Sequence, residues 1–150
     1  MRDIIFRAKV KRPDVPFIGE FEPDGTWTYG EVHLKHRVPH IHTGFGRLPI
    51  DPETVGLDSG LIDKNGISIF EGDILDWNFF SYDEGKEKEE RHLVEVKWSQ
   101  GALCIFPMPN DESFEEGICW SLKESLSDRT DAVKVGNIYD NPELKEGGKE

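Results

Sequence analysis

The chain has 150 residues, 36% of them apolar and 32% charged, with a net charge of −12. That is one compact domain with a real core, or two small β units, but not two full-sized domains. Trp27, Trp77, Trp98 and Trp120 supply enough apolar surface to exclude global disorder, and no apolar run reaches the roughly 20 residues that would span a bilayer. The acidity is uneven: residues 1–59 hold 8 basic against 9 acidic side chains, and residues 60–150 hold 10 against 21. A surface of that sign repels phosphates and disfavours direct nucleic-acid binding.

Met1 to Arg7 places charges where a signal peptide needs a long apolar stretch, which predicts a cytoplasmic protein. Residues 4–10 alternate Phe6, Ala8 and Val10 against Arg7 and Lys9, the period of a strand with one buried face. Segments 17–21 and 26–29 flank Pro23-Asp24-Gly25 and read as a hairpin. Weaker strands follow at 32–35 and 39–43, then a proline-bounded link from Pro49 to Pro52.

Segment 60–77 is the most informative. Asn65-Gly66 lies between two apolar runs, the strongest short hairpin signal. Glu71-Gly72-Asp73 turns again, with Gly72 expected at positive φ and Asp73 accepting backbone hydrogen bonds. Residues 81–91 are charged and read as a solvated loop between two strands. Val94, Val96 and Trp98 alternate inward against Glu95 and Lys97, and the chain turns at 99–101 into a strand at 102–106. Segment 118–122 reads as a strand leading to a short helical turn near 123–127. Val133 to Tyr139 makes a last strand, Pro142 stops it, and the remainder frays. The second half thus gives about five short strands joined by tight turns, which suggests a small barrel.

Four linked segments closely resemble the YopX family: Ile50-Asp51-Pro52-Glu53-Thr54-Val55-Gly56, Gly60-Leu61-Ile62-Asp63-Lys64-Asn65-Gly66, Ile69-Phe70-Glu71-Gly72-Asp73-Ile74, and the run from Val135 through Gly136, Asn137, Ile138 and Tyr139 to Leu144. The start from Arg2 to Ala8 and the stretch from Gly25 to Gly30 do so as well. Asp58-Ser59 and the charged stretch 81–91 depart from the family pattern. The resemblance implies a protein encoded by phages and prophages, with an SH3-like barrel in the C-terminal portion and no established activity. It supplies no catalytic residues. The domain reading that follows is an N-terminal β-rich segment at 1–56, an SH3-like barrel at 57–144, and a disordered tail at 145–150.

The candidates for chemistry are few. His40 and His42, two apart on a strand, would share a face and could hold one ion, with His33 and His36 nearby; solvated edge histidines are the plainer reading. Glu71 and Asp73 could act as paired carboxylates, but a structural turn fits them better. Asn65, Gly66, Gly72, Asp73, Gly136, Asn137 and Tyr139 read as fold determinants. Cys104 and Cys119 match no zinc or redox spacing and read as free thiols. No nucleophile stands out and no cofactor is called for. The expectation is a non-enzymatic accessory protein that binds itself, as a homo-oligomer, and host or phage proteins. The alternative is an acidic decoy for a basic site on a host nucleic-acid enzyme.

Overall fold

A computed structural model describes residues 5–11, 25–35, 38–43, 46–109, 111–115, 117–126 and 132–145. Segment 17–21, Pro23, Asp24, His36 and the tail from 146 onward lie outside the described residues. The chain is mainly antiparallel β, with only short helical turns among the described residues. It divides into two compact units, Met1–Asp58 and Ser59–Glu150.

In the first unit the strands are β1 (Phe6–Lys9), β2 (Trp27–Lys35), β3 (Val38–Thr43) and β4 (Gly46–Pro49), followed by a 3₁₀ turn at Pro52–Thr54 and the start of β5 (Gly56–Ile62). They are ordered β4-β3-β2-β1-β5. Asp51 caps the 3₁₀ turn by accepting from the Glu53 N–H at 3.1 Å, and Pro52 sits at its first position, where its missing N–H costs nothing. Ala8, Ile41 and Ile50 are buried together, with Val32 and Val55 against them.

One expectation for β1 is corrected. Arg7, read as solvent-facing, is buried at 2% exposure, its guanidinium 4.6 Å from the Trp27 ring centroid. A cation on an aromatic face lets a strand cover both of its faces. Gly30 marks a second close approach: at φ 152° a Cβ would lie 2.2 Å from the His42 carbonyl oxygen, so only glycine lets β2 and β3 meet there.

In the second unit β5 continues into a turn and β6 (Ser68–Phe70). Then come β7 (Asp73–Asp83), β8 (Lys86–Ser99), β9 (Ala102–Pro107), β10 (Trp120–Ser121), a helical turn α1 (Leu122–Ser125), β11 (Ala132–Asn137) and a second turn α2 (Pro142–Lys145). Five of these strands form a sheet ordered β10-β9-β8-β7-β11, and no ladder joins its two ends among the described residues. The core gathers Ile69, Leu75, Trp77, Val94, Val96, Ile105, Leu122 and Ala132, with Leu61 and Leu103 packed on it. The Trp77 indole N–H donates to the Ser125 carbonyl at 3.3 Å, which satisfies the polar edge of an otherwise apolar burial.

The helical turn expected near 123–127 is α1, beginning one residue earlier and capped by Ser121, whose hydroxyl accepts from the Glu124 N–H. Three expectations change. Residues 81–91 are not a loop: β7 and β8 continue as a ladder from Ile74↔Glu95 to Asp83↔Lys86. Trp98, read as inward, is 46% exposed, whereas Glu95, read as outward, is buried at 5%. Proline at 142 does not merely stop β11 but opens α2, since its fixed φ suits a first helical position.

Candidate functional site

The turns of the second unit hold most of the residues singled out from the sequence. Asp63 is buried, and its carboxylate accepts three backbone N–H groups: Asn65 at 2.8 Å, Ile67 at 2.9 Å and, from β11, Lys134 at 2.9 Å. Burial pushes this carboxyl up. The N–H groups of Lys134, Ile67 and Asn65 and the Lys134 charge outweigh burial and hold it below its ordinary value. In the Asn65-Gly66 turn the Gly66 N–H donates to the Asp63 carbonyl at 3.0 Å. Only Gly66 there takes a positive φ, of 82°, as in a turn closed by a left-handed glycine rather than a two-residue loop.

Gly72 has φ 94°, and Asp73 accepts the Phe70 N–H at 2.7 Å and lies 3.2 Å from Lys134 Nζ. Asp73 is fully buried while Glu71 is half-buried, so the two carboxylates do not face one solvent-filled cleft. At the end of β11 the Asn137 side-chain oxygen accepts from the N–H groups of Tyr139 and Asp140, each at 2.9 Å. Gly136 runs so close to Asn141 that a Cβ would lie 2.3 Å from its Oδ1. Tyr139 is half-buried beside this turn. These residues tie chain segments together.

The outer side of β11 is correspondingly occupied, because Ala132 accepts from the Lys64 N–H at 2.9 Å and Lys134 donates to Asp63. The β7–β8 ribbon is different. β11 accompanies β7 only over Asp73 to Trp77, and β9 accompanies β8 only over Val94 to Ser99. Beyond these, residues 78–83 and 86–91 are laddered to each other, with no third strand beside them among the described residues. Glu84 (φ 53°) and Gly85 (φ 80°) close the tip, the two-residue turn that matches strand twist. Along β8, residues 86–89 and Arg91 are exposed, and Lys88 Nζ lies 3.5 Å from Glu90 Oε1.

At the base of the ribbon His92 Nδ1 meets Asp111 Oδ2 at 2.7 Å, and the His92 ring stands edge-on to Phe114 at 4.7 Å. Phe114 in turn lies 5.1 Å from Trp120. Burial pushes the Asp111 carboxyl up, but hydrogen bonds from Ser113 and His92 bring it below its ordinary value. The sequence reading missed this pair because 19 residues separate its members and no motif joins them.

In the first unit, β2 and β3 pair His33 with His40 and Glu31 with His42. Opposed residues of an antiparallel ladder share a face, so all four stand on one side. The His33 and His42 rings stack at 3.9 Å, and His33 Nε2 lies 3.3 Å from Glu31 Oε2. His40 is buried, His42 exposed. Partial desolvation against its neighbours, then the charges of His33 and Arg47, lower the His42 pKa. No group of three His, Cys, Asp or Glu side chains stands ready-made as a metal cage among the described residues.

Fold and turns together define a small, mainly β chain whose polar residues serve chiefly as turn and edge clamps. The YopX protein family matches residues 46–146, and the chain belongs to that family. A solved structure, "protein EF1440 from Enterococcus faecalis", is similar at 23% identity and a TM-score of 0.38, over 77% of this chain and 75% of that one. Comparison with curated proteins returned no match. No helix among the described residues is long and apolar enough to cross a membrane.

Proposed function

We propose that this protein is a non-enzymatic, phage- or prophage-encoded accessory protein of the host cytoplasm that works by protein binding, first of all to a second copy of itself, through the outer edge of β8. The single observation that carries the reading is the β7–β8 ribbon, whose outer residues have no third strand beside them among the described residues. A two-stranded ribbon is marginal in water and gains from a further strand. An edge of charged residues rejects indiscriminate pairing but admits a matched one.

The charges match a second copy. If β8 pairs antiparallel with its own two-fold mate, centred on Glu89, Lys88 faces the mate's Glu90 and Glu87 faces its Arg91, each twice over. Opposite charges directly across a ladder contribute roughly 0.2–1 kcal/mol each. The one like-charged pair, Glu89 on itself, has the mate's Arg91 on one diagonal and the mate's Glu87 on the other, so its repulsion is only partly offset. This alternation of sign favours self-pairing over the acidic-decoy alternative, which would call for a uniformly acidic face. Barrel-like character in the second unit, of the SH3 kind, is supported by Ile69 of β6 sharing one core with the five-stranded sheet.

Sedimentation equilibrium over a dilution series tests the reading. A dimer that dissociates on dilution and weakens with added salt is expected. A monomer at every concentration would overturn it.

A further inference from the structure

The histidine face of the first unit carries a second, independent inference. Its four donors come from the register alone: Glu31 and His33 are two apart on β2, His40 and His42 two apart on β3, and the ladder sets them opposite one another. Both pairings and both spacings put side chains on one face. Three of the four, Glu31, His33 and His42, are exposed and already touch in sequence, carboxylate to imidazole to imidazole. His40 is buried beside them and differs in that respect.

The distance between the first two is the informative quantity. In a tetrahedral zinc site, ligand nitrogen and oxygen atoms sit about 2.0–2.2 Å from the ion. Two such atoms subtending a tetrahedral angle are therefore about 3.3–3.6 Å apart. His33 Nε2 and Glu31 Oε2 are separated by 3.3 Å. The pair thus already stands at the short end of the edge of a zinc tetrahedron. The third donor is not in place, because the His42 ring lies flat on His33 at 3.9 Å. It is exposed and on the same face, so rotation about its side-chain bonds can turn a ring nitrogen toward the pair, at the cost of the rotamer freedom of one side chain.

We infer that Glu31, His33 and His42 form a surface site for one zinc-like divalent transition-metal ion, closed by a turn of the His42 ring and completed by water at the fourth position. Two imidazoles and a carboxylate are a donor set suited to Zn²⁺. Arg47, opposite His42 on β4, places a like charge near the ion and limits the affinity.

Zn²⁺ titration of the full chain by calorimetry, repeated with Co²⁺ for its four-coordinate absorption, tests this directly. One ion per chain is expected. His33→Ala and His42→Ala should each weaken binding at least tenfold, Arg47→Ala should strengthen it, and His92→Ala in the other unit should leave it unchanged. Circular dichroism of each exposed-site variant establishes that it remains folded. Absence of saturable binding, or binding that survives both His33→Ala and His42→Ala, would overturn the inference.

Discussion

Asp63 and Lys134, 71 residues apart, are joined by a 2.9 Å hydrogen bond from the Lys134 N–H to the Asp63 carboxylate. That bond fastens the β5–β6 turn to the edge of β11, while the same carboxylate holds the N–H groups of Asn65 and Ile67. Removing it leaves three backbone donors to find new partners. Asp63→Ala is expected to lower stability by about 3 kcal/mol or more, read as a shifted urea midpoint in tryptophan fluorescence.

The same carboxylate sets an acid limit. Its folded pKa lies below the ordinary 3.8, so on acidification the unfolded chain takes up the proton first. The contribution of Asp63 is complete above the unfolded value and is lost as pH falls through the folded one. Asp111, lowered in the same sense, adds to this loss. Unfolding midpoints should drop below about pH 4, and the drop should be shallower in Asp63→Asn than in the unmodified protein.

Gly136 is expected to resist even a methyl group. A Cβ there meets Asn141 Oδ1 at 2.3 Å, the atom that accepts the Asn137 N–H at 3.2 Å. Gly136→Ala should cost about 1–3 kcal/mol. With Asn141→Ala the two losses should be less than additive, because both act on one contact; strictly additive midpoints would argue against the clash.

The two tryptophans on β7 and β8 should behave oppositely. Trp77 is buried at 3% and Trp98 is 46% exposed. Trp77→Ala is expected to cost about 3–5 kcal/mol, and Trp98→Ala about 0.5 or less, by urea denaturation.

Burial, then the neighbouring Cys119, pushes the Cys104 thiol up. Thiolate is the reactive form, so a disulfide-exchange reagent should label Cys119 in the native protein and Cys104 only after denaturant is added. Equal native rates would contradict the burial of Cys104.

Much of the β architecture was legible because it rests on local rules. Gly66 and Gly72 announced turns through a backbone angle that few other residues accept, and Val94 and Val96 announced a buried face through their spacing. The ribbon was not legible, since Glu84 does not carry the turn preference of Asn or Asp and the charges of residues 86–91 resemble a loop. Side-chain alternation also failed where a strand is covered on both sides: Arg7 is buried against Trp27, and Glu95 is buried on the strand where Trp98 is exposed. The His33–His42 stack and the His92–Asp111 pair depend on ladder register and loop placement, which no short window of sequence contains.

The central claim is that a second copy adds to the β8 edge, and a charge exchange tests it most directly. Analytical ultracentrifugation would compare the unmodified chain with Lys88→Glu and with Lys88→Glu/Glu90→Lys. The single change turns two attractive pairs into repulsive ones and should weaken the dimer about tenfold or more. The double change restores opposite charges across the two-fold and should recover it. A dimer indifferent to both, or no dimer in the unmodified chain, would contradict the account.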